Sequence, residues 1–199
     1  MNAIVTRKGN LVQDPPFVQW LLTSPKAALF WLPFRLWLGW QWIDASMHKI
    51  NNPAWVQTGD AVKGFWTNAI AIPETGRPPI TFDWYRALLQ FLLDAQAYVW
   101  MSKLIAFGEM IIGVALILGL FTGIAAFFGA FLNWNFMMAG TASSNPVLFT
   151  IAVGLILAWK VSGAIGLDRF VLPVVGTPWD GKVANSAALS PSTAPSGAD

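Results

Sequence analysis

Apolar positions dominate four stretches of the chain, at about residues 27–47, 98–120, 121–139 and 146–165. Each is near the roughly 20 residues that an α-helix needs to cross a bilayer. The second and third adjoin, so a tight turn is predicted around residues 119–123. The pattern predicts an all-α fold, an integral membrane four-helix bundle over residues 27–179. Residues 1–26 read as an N-terminal cytoplasmic segment with no cleavable signal peptide, because charges and prolines interrupt any apolar core. Residues 180–199, rich in Ser, Ala and Pro, read as a disordered tail.

The outer loop at 50–97 is too long and too apolar for a plain connector. Asn52 followed by Pro53 is a helix start, with Asn as cap and Pro in the first turn. Trp55, Val62, Phe65, Trp66 and Ala69 then recur at helical spacing, and PETGRPP breaks the pattern. Asp83 is placed to cap a second helix through Trp84, Leu88 and Leu92, which could run on into the second span. Short amphipathic helices between the first and second spans are therefore expected, shielding the bundle or docking a partner.

Composition sharpens the class. Of 199 residues, 55% are hydrophobic and 11% charged, and Trp accounts for 12. An average soluble domain carries roughly 25% charged residues. The 12 basic residues are spread along the chain and form no nucleic-acid footprint. Arg7, Lys8, Lys26, Lys160, Arg169 and Lys182 fall towards the side of the termini, so both termini are expected in the cytoplasm. The expected location is the cell membrane of a prokaryote. There is no cysteine and only one histidine, His48, which excludes iron–sulfur clusters, bis-His haem and Cys/His zinc sites. No metal and no intrinsic cofactor are expected. Any electrons would be carried by a bound quinone or by a partner subunit.

Charged residues inside spans are costly and face the bundle or a cavity. Here they are Arg35, Asp44, Lys103 and Glu109. Antiparallel first and second spans would put Arg35 level with Glu109, and Asp44 level with Lys103. One helical seam does not hold both pairs, so Arg35–Glu109 is the expected buried pair, with Lys103 turned outward. That pair reads either as an internal clamp or as a protonatable site beside a quinone head group. Asp44 and His48, four residues apart, could orient an imidazole towards a quinone carbonyl. Trp42, at the end of a Trp-rich run from Trp31, could stack on the ring. Asn133 and Asn135 are expected to hydrogen-bond across helices or to substrate. Met137 and Met138 read as packing, and the glycines at 108, 113, 119, 123 and 129 as close helix contacts.

Four stretches, FRLWLGWQW, GEMIIGVALILGLFTGIAA, NFMMAGTASSNP and GLDRFVLPVVGTPW, in this order and spacing, resemble the DoxX/DoxD family of four-helix membrane proteins. The likeness covers about residues 30–179. Its matching positions are Arg35, Gly108, Glu109, Asn135, Asn145, Pro146, Asp168 and Arg169. The resemblance implies the small membrane subunit of a thiosulfate:quinone oxidoreductase acting with a second subunit. Glu109 and Arg35 would then be catalytic, with Asp44, His48, Asn133, Asn135 and Trp42 binding substrate. The alternative is a non-catalytic accessory subunit of a larger respiratory or photosynthetic membrane complex. A transporter ranks third, since no inverted repeat is evident.

Overall fold

The computed structural model describes residues 14–175, and the expectations for residues 1–13 and for the tail lie outside the described residues. Among the described residues the fold is all-α, with no strand. A short helix α1 (Pro16–Thr23) leads through a single 3₁₀ turn into α2 (Ala28–Ile50). Three short helices follow, α3 (Pro53–Val56), α4 (Asp60–Ile70) and α5 (Asp83–Asp94). The chain then runs through α6 (Tyr98–Leu118), α7 (Thr122–Met138) and α8 (Asn145–Leu157), and ends in α9 (Trp159–Ser162) and α10 (Asp168–Val174). Of these, α6 alone is long and apolar enough to cross a membrane by itself.

The four main helices pack in a ring: α2 on α6, α6 on α7, α7 on α8, and α8 back on α2. Small residues bring α2 and α6 close. A methyl group on Gly113 would lie 2.8 Å from the Gly39 oxygen and 2.9 Å from the Ile43 nitrogen. Seven residues further along α2, the Ser46 hydroxyl donates to the Ala106 carbonyl at 2.7 Å. Those contacts set the antiparallel register of the pair. The core they enclose includes Trp31, Leu38, Trp42, Ile112, Leu116, Ala126 and Leu155.

A second apolar cluster sits at the other end, where Val62, Trp66, Tyr85 and Leu89 of α4 and α5 pack on the start of α6 and the end of α7. The helix start at Asn52–Pro53 forms as expected, with the Asn52 side chain accepting from the Ala54 nitrogen at 3.0 Å. Asp83 opens α5 without capping it and pairs instead with Arg86. Helix α5 does not run on into α6, because Gln96 adopts φ 53° and turns the chain between them. The fourth apolar stretch is shorter than expected. It breaks at Ala158, so α8 has 13 residues and the one-turn α9 follows separately. Leu155 and Ser162 meet across that break through the Ser162 hydroxyl at 3.3 Å.

Candidate functional site

Arg35 and Glu109, two of the buried ionic side chains, have different surroundings, and they are not paired with each other. From the Gly39–Gly113 and Ser46–Ala106 contacts, Arg35 falls level with Ile117 and Glu109 level with Ile43. Eight residues of helix separate the two levels, about 12 Å along the axis. The expected Arg35–Glu109 pair is therefore corrected. Glu109 Oε2 meets Lys49 Nζ at 2.6 Å, with the Lys49 side chain 17% exposed and the Glu109 side chain fully buried. Lys49 reaches from the last turn of α2, leans on the Trp55 ring, and so carries the charge inward from the end of the bundle. Sequence reasoning did not single out Lys49, because a four-carbon stem hides how far inward an ammonium at a helix end reaches.

Arg35 is bound by backbone. Its Nη1 donates to the Ser162 carbonyl at 3.1 Å and its Nη2 to the Ile165 carbonyl at 2.7 Å. Asp168, the nearest charge of opposite sign, caps α7 by accepting from the Phe121 nitrogen and, at 2.9 Å, from the Thr122 nitrogen. The Asp168 nitrogen in turn donates to the Gly119 carbonyl at 2.7 Å. The expected tight turn between the second and third spans is thus built from Gly119 at φ 64°, Phe121 at φ 47°, and a carboxylate brought from 47 residues away. A Cβ on Gly119 would stand 2.3 Å from Arg35 Nη1, which leaves room for glycine alone. This is a clamp that ties α2, the α6–α7 turn and the α9–α10 segment together.

A cavity of about 290 Å³ lies elsewhere, between the α6–α7 pair and the outer helices. Met101, Leu104 and Ile105 of α6 form one wall and Phe131, Leu132, Asn135 and Phe136 of α7 another. Helices α3 to α5 cover it with Trp55, Phe65, Trp66, Tyr85 and Leu89. Leu88, Leu104 and Phe131 line it and are themselves exposed, so the slot opens sideways through apolar residues. Its polar end is Tyr85, whose hydroxyl stands 3.0 Å from the Asn135 carbonyl and 3.1 Å from Asn135 Oδ1. Burial raises the Tyr85 phenol to about 12 and keeps it a neutral donor. Phe131, Trp134 and Trp84 stack in succession at the rim, at centroid separations of 6.2 and 6.5 Å.

Of the candidate catalytic and substrate-binding residues read from sequence, Asn135 alone lines this slot. Trp42 is buried against Gly129 in the bundle interior, and Asn133 is buried on the face of α7 that carries Gly129. Asp44 and His48 stand 3.8 Å apart on the outside of α2, with side chains 57% and 82% exposed. Asp44 forms no ion pair with Lys103 among the described residues, and Lys103 is exposed, as expected. Tyr85 is the residue that sequence reasoning missed. Its signal was its position one residue after Trp84, on the buried face of an amphipathic α5. Among the described residues no group of three His, Asp or Glu side chains could hold a metal. Compared with family models, with curated proteins and with solved structures, the chain finds no match.

Proposed function

We propose that this chain is a DoxX/DoxD-like integral membrane four-helix bundle, and that the lateral slot binds a ring-bearing, lipid-soluble molecule of the quinone class. The slot carries this reading. It is apolar, walled by aromatic rings, open through Leu104 and Phe131, and closed by one neutral donor and one amide at Tyr85 and Asn135. Its volume is at the lower end of small-molecule pockets, which run from about 300 Å³ upward, and suits a head group whose tail leaves through the opening. The membrane reading rests on the outer faces of the bundle, where Leu29, Trp40, Phe107, Ile111, Ile124, Phe127 and Leu157 are all exposed. Soluble monomers rarely show contiguous apolar patches of that extent. Helices α1 and α9 pack together, so Lys26, Lys160 and Arg169 gather at the end of the chain's termini, in keeping with cytoplasmic termini in a prokaryotic cell membrane.

In this reading the chain is the membrane subunit of a quinone-linked oxidoreductase that works with a partner subunit, and thiosulfate is the reductant its resemblance implies. Tyr85 turns its one hydroxyl proton from Asn135 to a quinone carbonyl, and the released Asn135 amide orients the ring. Glu109 is one helical turn from Ile105 of the slot wall and supplies a carboxylate for proton handling. Arg35 acts on position only, holding the turn that starts α7. The test is to purify the protein from its native membrane, assay extractable quinone, and titrate a short-chain quinone by tryptophan quenching. The Leu89→Trp variant, which fills the slot, should abolish saturable quenching while the helical circular dichroism is retained. Saturable binding unaffected by Leu89→Trp, or none in the parent protein, would overturn the assignment.

A non-catalytic accessory subunit is the second reading, favoured by the way Arg35 and Asp168 are consumed in the clamp. It predicts stoichiometric recovery with a large electron-transfer complex and no quinone in the slot.

A further inference from the structure

Four buried polar atoms come to one level in the bundle interior without a partner among the described residues. They are Trp42 Nε1 of α2, Glu109 Oε1 of α6, and both Nδ2 and Oδ1 of Asn133 on α7. All three side chains are at least 98% buried. Register brings them together. Glu109 is level with Ile43, next to Trp42, by the α2–α6 contacts already described. Gly129 faces both Trp42 Nε1, 3.0 Å from where its Cβ would be, and Ile112, at 3.5 Å. Because α6 and α7 run antiparallel across the Gly119 turn, three residues back along α6 from Ile112 to Glu109 matches one turn forward along α7 from Gly129 to Asn133. Residues four apart on α7 share a face, so Asn133 stands on the face of α7 where the Trp42 indole packs on Gly129.

The hydrogen-bonding inventory of these atoms is complementary to water. Trp42 and the Asn133 amide offer N–H donors; Glu109 Oε1 and Asn133 Oδ1 accept. Each buried water in a protein typically makes about three hydrogen bonds to buried polar groups that are otherwise unsatisfied. We infer that the Trp42–Glu109–Asn133 level is a hydration site that holds internal water within the bundle, behind the slot and separate from it. The water accepts from Trp42 Nε1 and Asn133 Nδ2 and donates to Glu109 Oε1, whose other oxygen is held by Lys49. Since Lys49 sits at the end of α2, the site continues through Glu109 to the edge of the bundle, which gives internal water a polar route in and out. The inference does not depend on what occupies the slot.

Microsecond X-ray radiolytic labelling with mass spectrometry tests it on the intact purified protein, because hydroxyl radicals generated from bound water oxidise the side chains beside it. Trp31 is the internal control, since it is nearly as buried as Trp42. Trp31 already has its indole proton bound, to the Leu21 carbonyl at 2.8 Å. Trp42 should oxidise several-fold faster than Trp31, and the excess should disappear in Asn133→Leu. A Trp42 rate equal to that of Trp31 in the parent protein overturns the site. So does an excess that survives intact in Asn133→Leu, since the amide would then hold no part of the water.

Discussion

Lys49 Nζ stands 2.6 Å from Glu109 Oε2, while Arg35, eight residues away in the register of the same two helices, is bound by the Ser162 and Ile165 carbonyls. The first contact joins the two helices at one level and the second fastens a turn at another. Each can be broken separately, and the consequences differ.

Removing the Lys49 ammonium leaves a fully buried carboxylate with no counter-charge, whereas removing the Glu109 charge leaves a lysine that can swing out to water. Breaking a buried pair by deleting one partner costs about 3–5 kcal/mol where the remaining charge is trapped. Lys49→Met should therefore lower thermal stability more than Glu109→Gln. The double variant Lys49→Met/Glu109→Leu should recover most of the loss. Equal losses in both single variants would show that Lys49 is as trapped as its partner.

Asp168 caps two N–H groups at the start of α7 and is the opposite charge that acts on Arg35. Its replacement by Ala removes the cap, at a typical cost of about 1–2 kcal/mol. It also leaves a buried guanidinium without its counter-charge, so the measured loss should exceed that range. Arg35→Lys should also destabilise, because a point-charge ammonium does not span two carbonyls as the planar guanidinium does. Unfolding midpoints for the two variants check both statements.

Gly119→Ala meets two obstacles at once. Its φ of 64° is a left-handed conformation, which costs a non-glycine residue about 1–2 kcal/mol. Its new methyl group would also press on Arg35 Nη1. The substitution should lower stability by more than the conformational cost alone. Gly108→Ala, with nothing within 4 Å of its Cβ position and in the middle of α6, should be neutral or stabilising.

Tyr85 gives the protein an alkaline limit. Its folded phenol is raised to about 12, above the value near 10 of an exposed tyrosine, so the folded state favours the neutral form. The stability that this provides is complete below pH 10 and is lost as the pH rises towards 12. The full linkage is worth about 2–3 kcal/mol. The chain has two tyrosines, so in Tyr98→Phe the remaining phenolate absorbance belongs to Tyr85 and should titrate near 12. Tyr85→Phe should flatten the stability profile above pH 10, at a cost of about 1 kcal/mol at neutral pH for the lost bond to Asn135.

Much of the helical plan was legible along the chain. Apolar runs of bilayer length marked α2, α6 and α7 to within a few residues, since the 3.6-residue period and the small-residue positions are local properties. Asn52–Pro53 announced α3, and two adjoining apolar runs required a turn near Gly119. The residues later found buried and polar, Arg35, Glu109 and Asn133, were also visible as polar side chains in apolar surroundings.

Pairing was not legible. Depth estimated from span ends slipped by about two turns of helix, because helix ends are ragged while the register is set by contacts such as Gly39 on Gly113 and Ser46 on Ala106. That slip moved Arg35 from Glu109 to the α6–α7 turn and brought in Lys49. Asp168 is more than 40 residues from the turn it caps, and Tyr85 is 50 from the asparagine it meets, so neither contact leaves a local trace. Sequence by itself determined which segments are helical and which side chains are too costly to bury alone. The tertiary structure decided which partners relieve that cost, because an ionic or hydrogen-bonding partner is chosen by proximity across helices.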